Sequence, residues 1–541
     1  MIFSEVCAPL SRSVKNNKRA FGSFVVFAVL FSLYVMLAWL ARGGDVWWYV
    51  DFVSGGNVFW ADDAYRFFLA RQAFSNPETW FFNFVLPLAL MLDSVLVFFS
   101  GYDQFLARVL KAGFLALSWW LSYQACLRVS APRFALIGSL LVYTLPLLIY
   151  IGVSFYAESW FIFLVSAATY CWVSERRYSA LLLVSLLPLI RFEGFYAVLA
   201  FSLYALYLRD YRSFLLPYIV GTLYFLLILV AGPGVFGFLS WRAEMAEVYL
   251  STGRWYGGDM GRFWAVISIF LLPAAILGLW ARRSLRVLLL AFLFVTGVIV
   301  GVGLAGLSNL EPRYLLMGLA FLPPGVAVFL GSVSAWLHSI SLGKLATPSL
   351  IVLVAMMACF NFNSVHVVSE LRQYVTSNGS LPNSVRSEPL ALKTYFRNMP
   401  AEEVLSYHTL ANRVHAALVE HREIKTVIVS NFALFYFLDP GLIPDDVTVA
   451  YPPFGRKSLQ PILGPSLSAA YFPKPPYFSY FSLQPAEAGR DLILYVDTVP
   501  LPDYPFRWII NGNELAIFSG SMVPKDQVEK WRERPFGAPD E

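Results

Sequence analysis

Charge is what this chain has least of. Only 14% of its 541 residues are Asp, Glu, Lys or Arg and 58% are hydrophobic, whereas soluble domains carry about 25% charged residues. That balance excludes an ordinary soluble domain and points to a polytopic membrane protein. Cysteine is equally scarce. Cys7, Cys126, Cys171 and Cys359 share no paired or metal-ligand spacing, so neither a disulfide framework nor a zinc site follows from them. The five histidines form no motif: His338 flanks an apolar run and the others lie in the tail. No GxxxxGK[ST] loop and no strand-borne GxGxxG is present. A membrane protein lacking a nucleotide site draws on a donor already in the membrane, or moves a solute down a gradient.

Long apolar runs are what it does have. The first, "FGSFVVFAVLFSLYVMLAWLA" (21–41), is long enough to cross a bilayer core of roughly 30 Å. Lys15, Lys18 and Arg19 precede it and no small-residue cleavage site follows directly, so it reads as a retained anchor with a cytoplasmic amino end. Further runs lie near 112–127, 134–152, 157–174, 213–232, 263–281, 287–307, 314–336 and 345–361. Basic pairs and triplets at 128 and 133, 176 and 177, 209 and 212, and 282–286 then all fall on the cytoplasmic side. That agreement requires residues 178–208 to cross an even number of times. Arg191, Glu193 and Gly194 sit in the middle of that segment, and each half makes only roughly 20 Å of helix. Two short helices meeting at "RFEG" satisfy the count, giving about eleven spans with the carboxyl end outside. The run 82–101 contains Asp93, which is costly facing lipid, so a helix lying along or partly entering the outer surface is expected there.

From about Asn363 the composition turns polar and proline-rich. The fold class expected is therefore a polytopic α-helical membrane domain (1–361, first outer loop 42–111) followed by an outer α/β domain (362–541). "AEEVLSYHTLANRVHAALVEH" reads as an amphipathic helix, and "TVIVSNFALFYFL" and "DLILYVDTV" as buried strands. No internal repeat is evident.

Five places on the outer side combine acids, arginines and aromatics. In "GNVFWADDAYRFFLARQAF" (56–74), Asp62 or Asp63 falls in the first turn of a helical pattern, where a carboxylate meets the helix dipole favourably. Capping explains one acid well and two in succession less well. In "RFEG", Arg191 and Glu193 must pair with one another or line a wet cavity. "SFYAESW" places Glu158 at the outer start of a span between the belt-type aromatics Tyr156 and Trp160. "NLEPRYLL" places Glu311 and Arg313 at another outer mouth, where Arg313 is either an interfacial anchor or a bidentate phosphate ligand. "STGRWYGGDMGRFW" supplies Arg254, Trp255, Tyr256 and Asp259 on a glycine-rich stretch, either a plain turn or a surface that stacks on a sugar ring.

The order of these features resembles the GT-C superfamily of integral membrane glycosyltransferases over roughly residues 20–340. The resemblance rests on "ADDAYRFFLARQAF", "PLALMLDSVLVFFSGYDQFLARVLKAG", "YAESW", "LLPLIRFEGFY" and "EPRYLLMGLAFLPP" in that order. It implies a polyprenyl-phosphate-linked sugar as donor and a glycan, lipid or protein as acceptor, with membrane lipids as surroundings and no nucleic acid. It also implies an inner-membrane protein of bacterial type acting at the outer face. An acid of the first outer loop is the superfamily's usual base, a role that falls here on Asp62 or Asp63. The doubled acid leaves the position ambiguous by one residue. Arg191, Arg254 or Arg313 would face the departing phosphate, and Glu158, Tyr156, Glu193, Trp255, Tyr256, Asp259 and Glu311 the substrates. Some members need a divalent cation, for which Glu158 and Asp259 are the spare acids. The rival class is a transporter or flippase of a lipid-linked saccharide, which calls for broken helices near the midplane and an inverted repeat. The sequence offers one broken pair, at "RFEG".

Overall fold

In hydrocarbon a chain must satisfy its own backbone hydrogen bonds, so the apolar runs are expected to be helices. The computed structural model describes residues 14–40, 61–73, 87–231, 271–304, 312–339, 348–349, 351–356, 401–420, 422, 424–429, 434–435, 437–444, 447–450, 492–496, 507–511, 514–517 and 521–523. Its helices are α1 (Val14–Leu40), α2 (Ala61–Gln72), α3 (Pro87–Phe99), α4 (Gln104–Val129), α5 (Pro132–Tyr143), α6 (Pro146–Val153), α7 (Ala157–Val173) and α8 (Arg177–Ser185). A 3-10 turn at Leu187–Leu189 leads to α9 (Gly194–Tyr207), α10 (Tyr211–Leu215) and α11 (Tyr218–Ala231). Then come α12 (Leu271–Ala281), α13 (Arg286–Leu304), α14 (Pro312–Leu319), α15 (Pro323–Ser339) and, in the tail, α16 (Ala401–Glu420).

Among the described residues, Gln104–Val129 and Arg283–Val302 are helical, long and apolar enough to cross a membrane. Several others present large apolar side chains outward, including Phe24 and Val29 on α1, Phe98 and Phe99 on α3, and Leu223 and Leu226 on α11. Such faces suit lipid and would be a liability in water. The described part is largely helical, with outward apolar faces of the kind a polytopic helical membrane protein presents. α4 lies at its centre, against α1, α5, α7 and α15, while α9 packs on α13. Buried hydroxyls stitch these helices together. Tyr34 on α1 donates to the carbonyl of Tyr143 (3.0 Å), Ser122 on α4 donates to the Tyr143 hydroxyl (3.2 Å), and Tyr143 and Ser166 share a short hydrogen bond.

Several expected spans are subdivided. The run 134–152 breaks at Thr144–Leu145 ahead of Pro146, and 314–336 breaks at 320–322 ahead of Pro323. In both cases proline restrains the preceding residue away from helix and cannot donate its own N–H. The run 213–232 is likewise split, with α10 ending before Tyr218. Broken helices are therefore more numerous than the single pair at "RFEG". α4 also begins eight residues earlier than the 112–127 run, at Gln104, because the Asp103 side chain accepts the Leu106 N–H at 2.7 Å and caps it.

The helix break at "RFEG" is present, and Gly194 serves it through its lack of a side chain. Its φ is not in the left-handed region; instead a Cβ there would lie 2.3 Å from the carbonyl carbon of Leu187 and 2.5 Å from the nitrogen of Pro188. Glycine lets α9 start directly against the 3-10 turn. Gly278 does the same where α12 meets α15, since a Cβ on it would lie 1.8 Å from the carbonyl oxygen of Gly325.

In the tail, β1 (Ile424–Val429), β2 (Thr448–Ala450), β3 (Leu492–Val496), β4 (Arg507–Asn511), β5 (Glu514–Ile517) and β6 (Ser521–Val523) form one sheet in the order β2-β1-β3-β4-β5-β6. β1 is parallel to both β2 and β3, with Val427 beside Val449 and Leu494, and the remaining pairs are antiparallel. The apolar run of β1 suits a central strand covered on both faces. The strand expected over 426–438 stops at Val429. Leu434 and Phe435 are instead in a 3-10 turn and buried, with the Phe435 ring 5.3 Å from that of Phe68 on α2.

Candidate functional site

One short segment, 154–160, gathers most of the buried charge. It joins α6 to α7 and carries "SFYAESW". The Phe155 N–H donates to the Asp63 carboxylate, whose other oxygen accepts from Arg108 Nη2 at 2.5 Å. Both partners of that ion pair are 1% exposed. Asp63 lies in the first turn of α2 and Arg108 in the second turn of α4, and the Arg108 guanidinium also lies 5.5 Å from the Phe155 ring. Three residues on, Lys111 occupies the same face of α4. Its ammonium contacts Asp93 of α3 at 2.8 Å, donates to the Ser159 hydroxyl at 2.9 Å and lies 5.1 Å from the Trp160 ring. Trp160 Nε1 completes the arrangement by donating to Asp93 at 2.8 Å. Asp93 thus turns inward from α3, while Met91, Val95, Phe98 and Phe99 take the outer side.

The same segment receives Arg191. Its Nη1 donates to Glu158 at 2.8 Å, while Nε and Nη2 grip the two oxygens of Glu193 at 3.1 and 3.0 Å. The guanidinium also lies 4.6 Å from the centre of the Tyr314 ring. This fork is bidentate on carboxylate and stacked on an aromatic, a geometry that lysine cannot reproduce. Glu158 is wholly buried, whereas Arg191 and Glu193 are 17% and 21% exposed, so the triad reaches from the interior to an accessible edge. Tyr156 is buried as the residue preceding α7.

Four of the five places singled out in the sequence therefore come together: the acid pair of α2, the start of α7, the "RFEG" break and, through Tyr314, the "EPRY" stretch. Asp62 is placed as a position in the first turn of α2 and Arg313 as one in α14; their side chains, and the whole of Glu311, lie outside the described residues. So do Arg254, Trp255, Tyr256 and Asp259. The Arg191 fork expected to face a phosphate is engaged by Glu193. Glu158, expected to be spare for a cation, faces Arg191. Among the described residues no group of three or more His, Cys, Asp or Glu side chains gathers as metal ligands, and a guanidinium stands where an ion bound by Glu158 and Glu193 would sit.

Asp93, Arg108 and Lys111 were not expected at the site. The run at 112–127 leaves Arg108 and Lys111 in a loop, where cations need no partner. With α4 starting at Gln104 they are helical and buried, and the rule that singled out "RFEG" applies to them equally.

The far end of α2 is also held. Arg71 Nη1 donates to the Leu438 carbonyl and Nη2 to Asp439, both at 2.9 Å. Asp439 in turn caps the turn that follows, accepting from Gly441 N–H at 3.1 Å, and its own N–H donates to His415 Nε2 of α16 at 3.2 Å. One helix thus bears the acid pair in its first turn and the attachment of the tail in its last. A backbone N–H can only donate, so His415 must be neutral with its proton on Nδ1. Burial pushes its pKa down, with Asp439 opposing and Arg71 reinforcing the shift. A histidine with a depressed folded-state pKa contributes stability above its unfolded value of about 6.5, and loses it as pH falls through the lower folded value. Amide exchange at 437–444 should accordingly become less protected, after correction for intrinsic rates, as pH drops through that window. The His415→Gln variant keeps an acceptor that does not titrate and should flatten the change. Equal protection at both ends of the window in the wild type overturns this.

No family model and no curated protein matches the chain. Among solved structures it is similar to ArnT from Cupriavidus metallidurans bound to undecaprenyl phosphate, at 13% identity, covering 78% of this chain and 89% of that one, with a TM-score of 0.46. It is also similar to the Archaeoglobus fulgidus oligosaccharyltransferase tethered with an acceptor peptide containing the NVT sequon. There the identity is 12%, the coverage 81% of this chain and 66% of that one, and the TM-score 0.46. The apo form of the same oligosaccharyltransferase matches at 12% identity with a TM-score of 0.45. Likeness at this level pairs no residue of this chain with a residue of theirs.

Proposed function

We propose that this protein transfers a glycosyl group from a polyprenyl-phosphate donor to an acceptor hydroxyl at the outer membrane face, with inversion. The observation that carries the reading is the convergence of Asp63, Glu158, Arg191 and Glu193 on the 154–160 segment, at one end of a lipid-facing bundle, in the order of motifs that resembles the GT-C superfamily. Asp63 has one oxygen on Arg108 and the other on a backbone N–H. It acts as the anchor of α2, and the neighbouring Asp62, about 100° round the helix axis, is the base. The acceptor oxygen bonds to the anomeric carbon as its proton passes to Asp62. The bond from that carbon to the phosphate oxygen breaks, and polyprenyl phosphate leaves. Its departing charge needs cations, a role for Arg254 and Arg313, while Arg191 positions the two glutamates. Trp255, Tyr256, Asp259 and Glu311 complete the substrate contacts.

Residues 1–361 are then the catalytic domain of about eleven spans, with the amino end cytoplasmic. Residues 362–541 form an outer α/β domain that is joined to α2 through Arg71 and contributes to acceptor binding. Full-length protein given a panel of polyprenyl-phosphate sugars should release polyprenyl phosphate from at least one of them in the presence of acceptor. The additional helix breaks suit a transporter as well. Movement of lipid-linked saccharide across a liposome bilayer, with no release of polyprenyl phosphate, would favour that second reading.

A further inference from the structure

The end of the bundle opposite Asp63 holds a second concentration of charge that glycosyl transfer does not use. From Glu158 to Trp172, α7 runs about 21 Å. There the Trp172 Nε1–H donates to the Ser284 carbonyl at 2.9 Å and the Tyr204 hydroxyl to the Arg283 carbonyl at 2.6 Å, fixing the turn before α13 against the ends of α7 and α9. Three arginines surround this frame. Arg177 lies 5.9 Å from the Trp172 ring, Arg283 5.9 Å from the Tyr207 ring, and Arg286 5.0 Å from the Trp280 ring, and all three act electrostatically on the Tyr204 hydroxyl.

Their placement runs against the usual preference. Arg177 is the first residue of α8, and Arg283 and Arg286 open the 3-10 turn and α13, with no acid in any of these first turns. Helix amino ends carry partial positive charge and favour carboxylates or phosphates there. Cations set on two such ends repel one another and the dipoles alike. Among the described residues none of the three has a carboxylate within ion-pair distance. Asp210, which acts on Arg177 from a distance, is engaged by the hydroxyl and N–H of Ser213. An anion from outside the chain would relieve such repulsion. Tyr207 and Trp280 beside the arginines are each 62% exposed, the amphipathic aromatics found at headgroup depth.

We propose that Arg177, Arg283 and Arg286 form a site for a phosphate ester, supplied by the headgroup of an anionic phospholipid. Planar guanidinium groups at two helix amino ends match phosphate oxygens bidentately. The test uses full-length protein reconstituted in phosphatidylcholine nanodiscs with increasing phosphatidylglycerol, followed by native mass spectrometry of the lipids retained after delipidation. Wild type should retain phosphatidylglycerol over phosphatidylcholine by about tenfold or more, a factor equal to about 1.4 kcal/mol. The R177Q/R283Q/R286Q variant should lose that preference, and the charge-matched R128Q/R133Q/R212Q variant should keep it. Should the first triple variant melt early, the single R283Q variant is read instead and should show a reduced preference. Glycerol 3-phosphate forms the soluble arm: binding of it at the same arginines without lipid preference would uphold the phosphate site and assign it a dissolved ester. Equal retention of both lipids by wild type with no glycerol phosphate binding overturns the proposal. So does equal loss in the two triple variants, which would mean a diffuse basic belt.

Discussion

Asp63→Asn is expected to lower the melting temperature sharply, whereas Asp62→Asn is expected to leave melting unchanged and abolish sugar transfer. The contrast follows from the geometry of one residue. Asparagine at 63 keeps an oxygen for the Phe155 N–H but turns an amide N–H toward Arg108 Nη2, so a donor faces a donor where an ion pair stood. Removing one partner from a buried pair costs about 3–5 kcal/mol. The neighbouring change removes the proposed base, and loss of a positioned base costs about 10²- to 10⁴-fold in rate. Thermal melting in detergent, read beside the release of polyprenyl phosphate, separates the two. If Asp62→Asn stays fully active while Asp63→Asn melts normally and is inactive, the roles are reversed. If both variants remain active, neither acid is the base.

The acid pair was visible in the sequence because charge is rare in an apolar chain and two adjacent carboxylates exceed what one helix cap requires. "RFEG" was visible for the same reason, and the length of its two halves dictated the break. What composition cannot give is the partner. Glu158 is thirty-three residues from Arg191, and nothing in "YAESW" says which cation it meets. The misses at Arg108 and Lys111 have a definite cause. Apolar runs mark where helices are oily, whereas the Asp103 cap marks where α4 begins, and the charged first two turns lie between the two. Subdivision of the spans at Pro146 and Pro323 was legible in principle, since both prolines were in view. The apolar runs around them look continuous because hydropathy does not register a missing N–H. The attachment of Arg71 to the tail was beyond reach, because it joins residues more than 360 positions apart.

Removing the guanidinium of Arg191 should be the most damaging single change at the "RFEG" break, and removing an acid along with it should restore part of the loss. Arg191 bridges Glu158 and Glu193 and lies over the Tyr314 ring. In Arg191→Gln the wholly buried Glu158 loses its contact with the guanidinium, a change in the range of about 3–5 kcal/mol. Arg191→Lys keeps the charge but cannot bridge both glutamates and stack at once, so it should fall between wild type and the glutamine variant. If the penalty arises from a buried carboxylate deprived of its partner, the Arg191→Gln, Glu158→Gln double variant should be more stable than Arg191→Gln alone. The coupling expected for directly contacting charges is about 0.5–3 kcal/mol. Chemical denaturation of the four proteins in one detergent measures that cycle. Strictly additive losses would show that Arg191 holds the break through Glu193 and Tyr314, with Glu158 contributing nothing to it.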